Sequence, residues 1–479
     1  MSAGKDAEGR NATPAAERAD DRPAVVWFRD DLRLADNPAL CAAGESGRPV
    51  VCLYVWDKDS PGLRSPGGAA RWWLHHSLTS LGESIGRAGS ALTIRSGPAE
   101  GVLAGVLAEV DAGAVFWNRR YGEGERRVDE RVKSAARDAG LVANSFGANL
   151  LFEPWTVRTG SGKAFSVYTP FWRACLATPE PRRPLPALRT LRPGPRLPSL
   201  KPNELGLLPT HPDWADGLRE TWEPGERAAH RELSAFLGEG LARYRAERDV
   251  PGIAATSRLS PRLRWGELSP FQIWHATAAA RDRSTAEGAE TFLSELGWRE
   301  FAYHTYFEHP ALTTVNIHRE YDSFPWPRLH PSALRAWQQG RTGVPLVDAG
   351  MRELWRTGVM HNRVRMVTAS FLTKNLLIDW RLGEQWFWDT LVDADPASNP
   401  FNWQWVAGSG ADAAPYFRVF NPELQREKFD PHGDYVRRWA PEWDTTDYPE
   451  PLVDLAETRR AALAAWETVK AARGTAERP

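Results

Sequence analysis

Cysteine is nearly absent: Cys41, Cys52 and Cys175 are the only three in 479 residues. Their number is odd and no two have metal-site spacing, which argues against a disulfide framework and suits a reducing cytosol. No run of about 18 apolar residues occurs, so no membrane span is expected. Residues 1–22 lack the apolar core of a secretory signal. They are polar, mixed in charge and rich in Ala, Asp and Arg, and read as a disordered tail. A cytoplasmic location is the expectation. An excess of one charge sign is also missing, with 60 Lys+Arg against 61 Asp+Glu and a formal net charge of -1. Whole-chain attraction to a polyanion is thereby excluded, and any affinity for one must come from a local basic face. Neither GxGxxG after the first strand nor GxxxxGK[ST] is present, which disfavours a Rossmann-type dehydrogenase and an ATP-hydrolysing enzyme.

Tryptophan is present in quantity. The 23 residues exceed both Phe (18) and Tyr (10). Composition alone favours space-filling in a large helical core, where an indole needs one partner for its N–H. Stacking on bases or on a cofactor ring, or electron hopping, is the sharper explanation, and position has to decide between them. Hydrophobic residues make up 42% of a chain long enough for two or three domains.

The first third alternates. Ala24–Phe28, Val50–Trp56, Ala91–Arg95, Ala114–Trp117 and Leu141–Phe146 read as strands, with helical patterns near 69–87, 99–110 and 124–138 between them. This predicts an α/β domain over 23–152, a parallel five-stranded sheet with helices on both faces. Residues 178–212 are dense in proline, which lacks an N–H and fixes φ, so an inter-domain connection is assigned to 153–224. From 225 to 479 the periods are helical. Ser269-Pro270 pairs an N-cap hydroxyl with Pro at the first helical position. Residues 289–307 read as a buried aromatic helix, and 345–357, 363–378 and 383–392 also have helical period.

Four constellations carry chemistry. Thr256-Ser257-Arg258-Leu259-Ser260 offers hydroxyls, backbone N–H groups and an Arg that suit a pyrophosphate, although capping and turn roles explain it equally. Glu295 and Trp298 share a helix face. Either Glu295 pairs locally with Arg299, or the two form a cradle in which Trp298 stacks on a base and Glu295 bonds its edge. Residues 351–381 carry an excess of basic side chains around His361-Asn362-Arg363, with Met366 one turn after Asn362. A solvated face is the ordinary explanation; a pocket with phosphate-binding Arg at its rim is the other. Last, Asp393-Ala394-Asp395 leads into Asn399, Trp403 and Trp405. No third metal ligand lies at a suitable spacing, and the carboxylates suit N–H donors of a flavin ring, with Asn399 answering its N5.

Taken in order, these segments resemble the photolyase/cryptochrome family from Val25 to about Trp439. Val26-Trp27-Phe28-Arg29-Asp30-Asp31-Leu32-Arg33, Trp298-Arg299-Glu300-Phe301, His361-Asn362-Arg363, Asp379-Trp380-Arg381, Trp403-Gln404-Trp405 and Asp412-Ala413-Ala414-Pro415-Tyr416-Phe417-Arg418 are characteristic. The resemblance implies an all-α C-terminal FAD-binding domain. It assigns Tyr244, Thr256 to Ser260, Arg365, Asp393, Ala394, Asp395 and Asn399 to FAD. It implies light-driven repair of cyclobutane pyrimidine dimers in UV-damaged DNA, by electron transfer from excited, reduced FAD to a flipped-out lesion. Trp298 and Trp405 would flank the dimer, Glu295 and Asn362 bond its base edges, and Met366 pack on it. Arg248, Arg363 and Arg418 match DNA-contacting positions. Trp403, Trp380 and Trp326 match a photoreducing indole chain. Photolyases for the (6-4) lesion carry His at the positions of Asn362 and Met366, which favours the cyclobutane dimer. A blue-light cryptochrome photoreceptor is the alternative, and Asn399 favours repair over it. Folate-binding relatives often have Asn-Glu where this chain has Gly124-Glu125. Methenyltetrahydrofolate in another geometry, a deazaflavin antenna, or neither, therefore stay open. Family habit implies a monomer.

Overall fold

Five apolar runs of β-branched and aromatic residues form one sheet in the computed structural model, which describes residues 21–413 and 417–476. The expected tail falls almost wholly outside the described residues. The strands are β1 (Ala24–Phe28), β2 (Val50–Trp56), β3 (Leu92–Ser96), β4 (Ala114–Asn118) and β5 (Val142–Phe146). Their order is β3-β2-β1-β4-β5, and every pairing is parallel. In register, Val26 lies opposite both Cys52 and Phe116. The three central strands are buried on both faces, which is why they read as continuous rather than alternating apolar runs. Val26 and Phe28 point into one core with Trp72 and Trp73, while Val25 and Trp27 point into the other with Trp117. Helices α1 (Pro38–Glu45), α2 (Gly68–Arg87), α3 (Ala99–Glu109) and α4 (Glu123–Asp138) cover the sheet. Only α1 has no counterpart in the sequence reading.

The proline-rich stretch does not hang free. Val50 N donates to Arg192 O (2.7 Å), and Leu200 N donates to Ile94 O (2.9 Å). The Ser199 hydroxyl accepts the Ile94 N–H at 2.9 Å. The stretch thereby occupies polar groups along β3 that an edge strand would otherwise present to other chains. The segment 153–224 also contains a helix, Tyr168–Leu176, whose Tyr168 and Phe171 belong to a core of the helical half.

Beyond residue 225 the chain is helical, and no strand occurs there among the described residues. Ser269 caps Pro270–Ala279 through a bond from Gln272 N, as its Ser-Pro signal predicts. The aromatic helix runs over Ala286–Glu308. The two halves interlock at the Arg262–Gln272 stretch. Arg264 pairs with Asp30 at the end of β1 (2.9 Å), and its Nε donates to the Ala394 carbonyl (2.7 Å). Arg33 donates to Gly266 O at 2.9 Å. Glu267, fully buried, accepts from Trp73 and Ser77 of α2, from Gly225 N and from Arg262. At the C-terminal end of β1, where a doubly wound sheet commonly takes its ligand, Asp30 and Arg33 are thus paired with the other half.

Candidate active site

A cavity of about 480 Å³ opens in the helical half, within the size range of cofactor sites. Three helices build most of its wall. Ala286–Glu308 contributes Glu295 and Trp298, Asn362–Ser370 contributes Asn362, Arg363, Arg365 and Met366, and Ser398–Ala407 contributes Asn399, Trp403 and Trp405. The loop before the last helix adds Asp393, Ala394 and Asp395, and Tyr244, Arg248, Ser257, Leu259 and Ser260, also drawn from the sequence, line it as well.

The carboxylate loop is held from several sides. Asp393 Oδ2 accepts the Ser260 hydroxyl (2.6 Å) and Arg365 (2.9 Å), while its buried Oδ1 has no partner. Asp395 Oδ1 accepts Ala397 N (2.9 Å) and Ser398 N (2.7 Å), and its Oδ2 accepts the Tyr303 hydroxyl (2.7 Å). Asp395 is therefore largely engaged in shaping its own loop. Asp393 keeps an open acceptor in a place water does not serve, and a buried polar atom in that state calls for a partner. Trp403, 2% exposed, is similar: its Nε1 is buried and unpaired.

Asn399 donates its amide hydrogens to the Glu384 carbonyl (3.1 Å) and carboxylate (2.8 Å). Glu384 in turn receives both guanidinium arms of Arg64, at 2.6 and 2.9 Å. Arg64 belongs to the loop after β2 and lies over the Trp388 ring at 3.9 Å. The amide oxygen of Asn399 is left as the uncommitted acceptor.

At the mouth, Trp298 is backed by Tyr168, with ring centroids 3.8 Å apart and planes 11° apart. Tyr168 approaches this closely beside Gly297, where a Cβ would stand 2.8 Å from its hydroxyl and 2.6 Å from Trp172. Trp405 donates to Asp412 O (3.1 Å), and Arg418 lies over its ring at 5.5 Å. Both indoles are partly exposed and face one cavity. Glu295 does not form the local pair with Arg299. It pairs with Arg248, and Arg299 donates instead to Asn149 O at 2.7 Å. Burial opposes the Arg248 charge, but the Glu295 carboxylate outweighs it and holds the guanidinium pKa above its usual value. His361 is pushed down to about 4 by burial, and its neutral Nδ1 accepts Arg363 N at 3.2 Å.

Several expected residues stand elsewhere. Thr256 is exposed and outside the cavity lining. The Arg258 side chain turns away from the cavity, over Trp222 at 4.2 Å, with a bond to Thr221 O. Its backbone takes a left-handed turn (φ 57), which directs it outward. Most of the basic run over 351–381 also faces elsewhere. Arg352 pairs with Glu442, Arg356 with Glu220 and Arg381 with Asp379, while Lys374 is buried against Ala407 O. Only Arg363 and Arg365 of that run reach the cavity. Trp380 and Trp403 are buried in one core, Trp326 packs on that core partly exposed, and the Trp380 Nε1 donates to Asn316 (3.0 Å). Of the Asp412–Arg418 motif, residues 414–416 lie outside the described residues.

The family profile described as DNA photolyase matches residues 24–189, and the one described as FAD binding domain of DNA photolyase matches 292–446. The chain is 47% identical to a deoxyribodipyrimidine photo-lyase of Agrobacterium fabrum, over 94% of this chain and 98% of the relative. The chain belongs to the DNA photolyase family. Its fold matches the crystal structure of a class III photolyase from Agrobacterium tumefaciens at TM-score 0.90 and 46% identity, covering 96% of this chain and 100% of that one. Cryptochrome-1 of Arabidopsis thaliana is more distant, at 35% identity over 95% of this chain and 72% of its own length. FAD, the cofactor of this photolyase domain, fits the residues present. Asp393, held by Arg365 and Ser260, offers an unpaired buried acceptor, and Asn399, held by Glu384, a fixed amide oxygen. Gly124 packs on Gly62, where a Cβ would stand 2.3 Å from the carbonyl oxygen, and Glu125 is engaged by Gly122 N at 3.0 Å. No helix among the described residues is long and apolar enough to cross a membrane.

Proposed function

We propose that this photolyase repairs cyclobutane pyrimidine dimers in UV-damaged DNA under blue light, with the lesion drawn into the described cavity. One observation carries the reading. One cavity is lined both by Asp393 and Asn399, each with an acceptor oxygen that takes no hydrogen bond, and by Trp298, Trp405 and Glu295. Held by Asp393, Asn399, Arg365 and Ser260, reduced FAD would supply the light-driven electron chemistry that splits the cyclobutane ring without net redox change.

The chain's own residues make the lesion accessible. Extrusion from the duplex costs a few kcal/mol, less for a lesion that already pairs badly. Stacking on Trp298 and Trp405 returns roughly 1–3 kcal/mol per base. Met366 packs on the bases, and Asn362 and Glu295 bond their polar edges, Glu295 steadying the charge that the dimer carries transiently. Arg248, Arg363 and Arg418 take the flanking phosphates. Trp403, Trp380 and Trp326 form the route by which electrons reach the cofactor from the surface. We assign the protein to the cytoplasm as a monomer. A methenyltetrahydrofolate or deazaflavin antenna would add absorbance beyond that of the flavin.

A repair assay on a dimer-containing oligonucleotide under blue light tests the proposal. Light-dependent loss of the dimer is expected, and its absence would leave the photoreceptor reading standing. Trp405→Ala should weaken lesion binding about tenfold, and Glu295→Ala should lower the quantum yield. Unchanged repair in both variants would move the pocket elsewhere.

A further inference from the structure

Three charged side chains that line the cavity, Glu295, Arg248 and Arg363, alternate with Asp249 just outside its lining. Glu295 pairs with Arg248, and Arg248 Nε also lies 4.0 Å from Asp249 Oδ1. The other oxygen of Asp249 takes Arg363 Nη2 at 2.7 Å. Asp249 therefore holds the Arg363 guanidinium directly and lies beside that of Arg248, which Glu295 holds. Both Arg side chains are 19% exposed, against 36% for Asp249. They are pinned to the surface of the protein and do not sweep through solvent. The Phe429 ring, 4.5 Å from the Arg363 guanidinium, holds that group from another side.

An aspartate is a costly neighbour for a surface that receives phosphates, because like charges meet there. Its carboxylate also competes with phosphate for the same N–H donors. Resting on the repair reading above, we propose that Asp249 is a positioning residue that sets the spacing of Arg248 and Arg363, trading general affinity for DNA against selectivity for an extruded dinucleotide. On undamaged duplex, the paired guanidinium groups are partly neutralised and attract the backbone weakly. Around an extruded lesion the backbone is pulled into the cavity mouth. Two donors already fixed at the right separation then engage it without first losing side-chain freedom. Arg248 leaves Glu295 for phosphate in the same event, which releases the Glu295 carboxylate for the base edge. Asp249 touches no base and no cofactor; it acts through its two neighbours.

The test compares binding of dimer-containing and undamaged duplexes of one sequence across a salt series, with flavin absorbance as the control for folding. Asp249→Asn should tighten binding to undamaged DNA and steepen its dependence on log salt by about 0.9, the value of one further phosphate contact. The ratio of lesion to undamaged affinity should fall about tenfold. Asp249→Glu keeps the charge but shifts both guanidinium groups. It should lose selectivity with undamaged affinity unchanged, and it decides the question alone if the Asn variant does not retain flavin. An unchanged ratio in either flavin-retaining variant overturns the proposal. If the parent protein itself does not distinguish dimer from undamaged DNA, it is the repair reading that fails.

Discussion

Asn399 can present only one face to the cavity, because Glu384 takes its amide hydrogens and Arg64 fixes Glu384. None of this was legible in the sequence. Arg64 and Glu384 are 320 positions apart, and neither sits in a recognisable motif. Asn399 itself was legible as a candidate through its place after Asp393 and Asp395, although the helix that carries it, Ser398–Ala407, was not. Glu295 shows the opposite limit. Spacing on one helix raised Arg299 as its partner, and the structure assigns Arg248 instead, because local periodicity is blind to a neighbour brought in from another helix. The Arg258 side chain departs from expectation for a related reason. Residue type suited an anion, but backbone handedness aimed the side chain at Trp222. At this scale Trp403 supplies a sharp test. Trp403→Phe should slow light-driven reduction of bound FAD at least about tenfold, while repair started from chemically reduced protein is retained. Equal loss of both would remove Trp403 from the electron route.

Elements were more legible than contacts. Continuous β-branched runs identified every strand to within one residue, and Ser269-Pro270 marked a capped helix start. The helix Pro38–Glu45 was missed because its apolar stretch is short and follows directly on a motif loop. Tyr168–Leu176 was missed because it lies inside a segment assigned to a connection. Helix crossings leave almost no trace in sequence, as Gly383 illustrates. A Cβ there would meet the Trp403 ring at 2.1 Å, so the helix Trp380–Thr390 can cross the Trp403 helix only with a glycine at the contact. Gly383→Ala should destabilise the fold by about 1–3 kcal/mol through overpacking, read from denaturant midpoints. It should also slow photoreduction by displacing the indole. A stable variant with unaltered photoreduction would show that the crossing tolerates a methyl group.

Across the whole molecule, buried acids join the two halves and make stability depend on pH. Burial raises the Glu300 carboxyl from 4.5 to about 7, and the group accepts the Phe152 N–H at 3.1 Å from the end of the first half. Between those pH values the folded chain holds a proton that the unfolded chain has released. Stability therefore falls as pH rises through this window and levels off above it, by on the order of 3 kcal/mol. Glu300→Gln should remove most of that slope in unfolding measurements from pH 4.5 to 8. A slope identical to that of the parent would place the titration on another group.

The proline-rich stretch along β3 has a consequence for anyone who transplants parts between relatives. Its bonds to Ile94 and Val50 make it a sixth, irregular member of the sheet, although it comes after the sheet in sequence. A cassette cut at residue 152 would carry five strands and leave their cover behind, with an adhesive margin open to its neighbours. A chimera that keeps residues 23–212 together would inherit a closed margin, and its soluble yield should be the higher of the two.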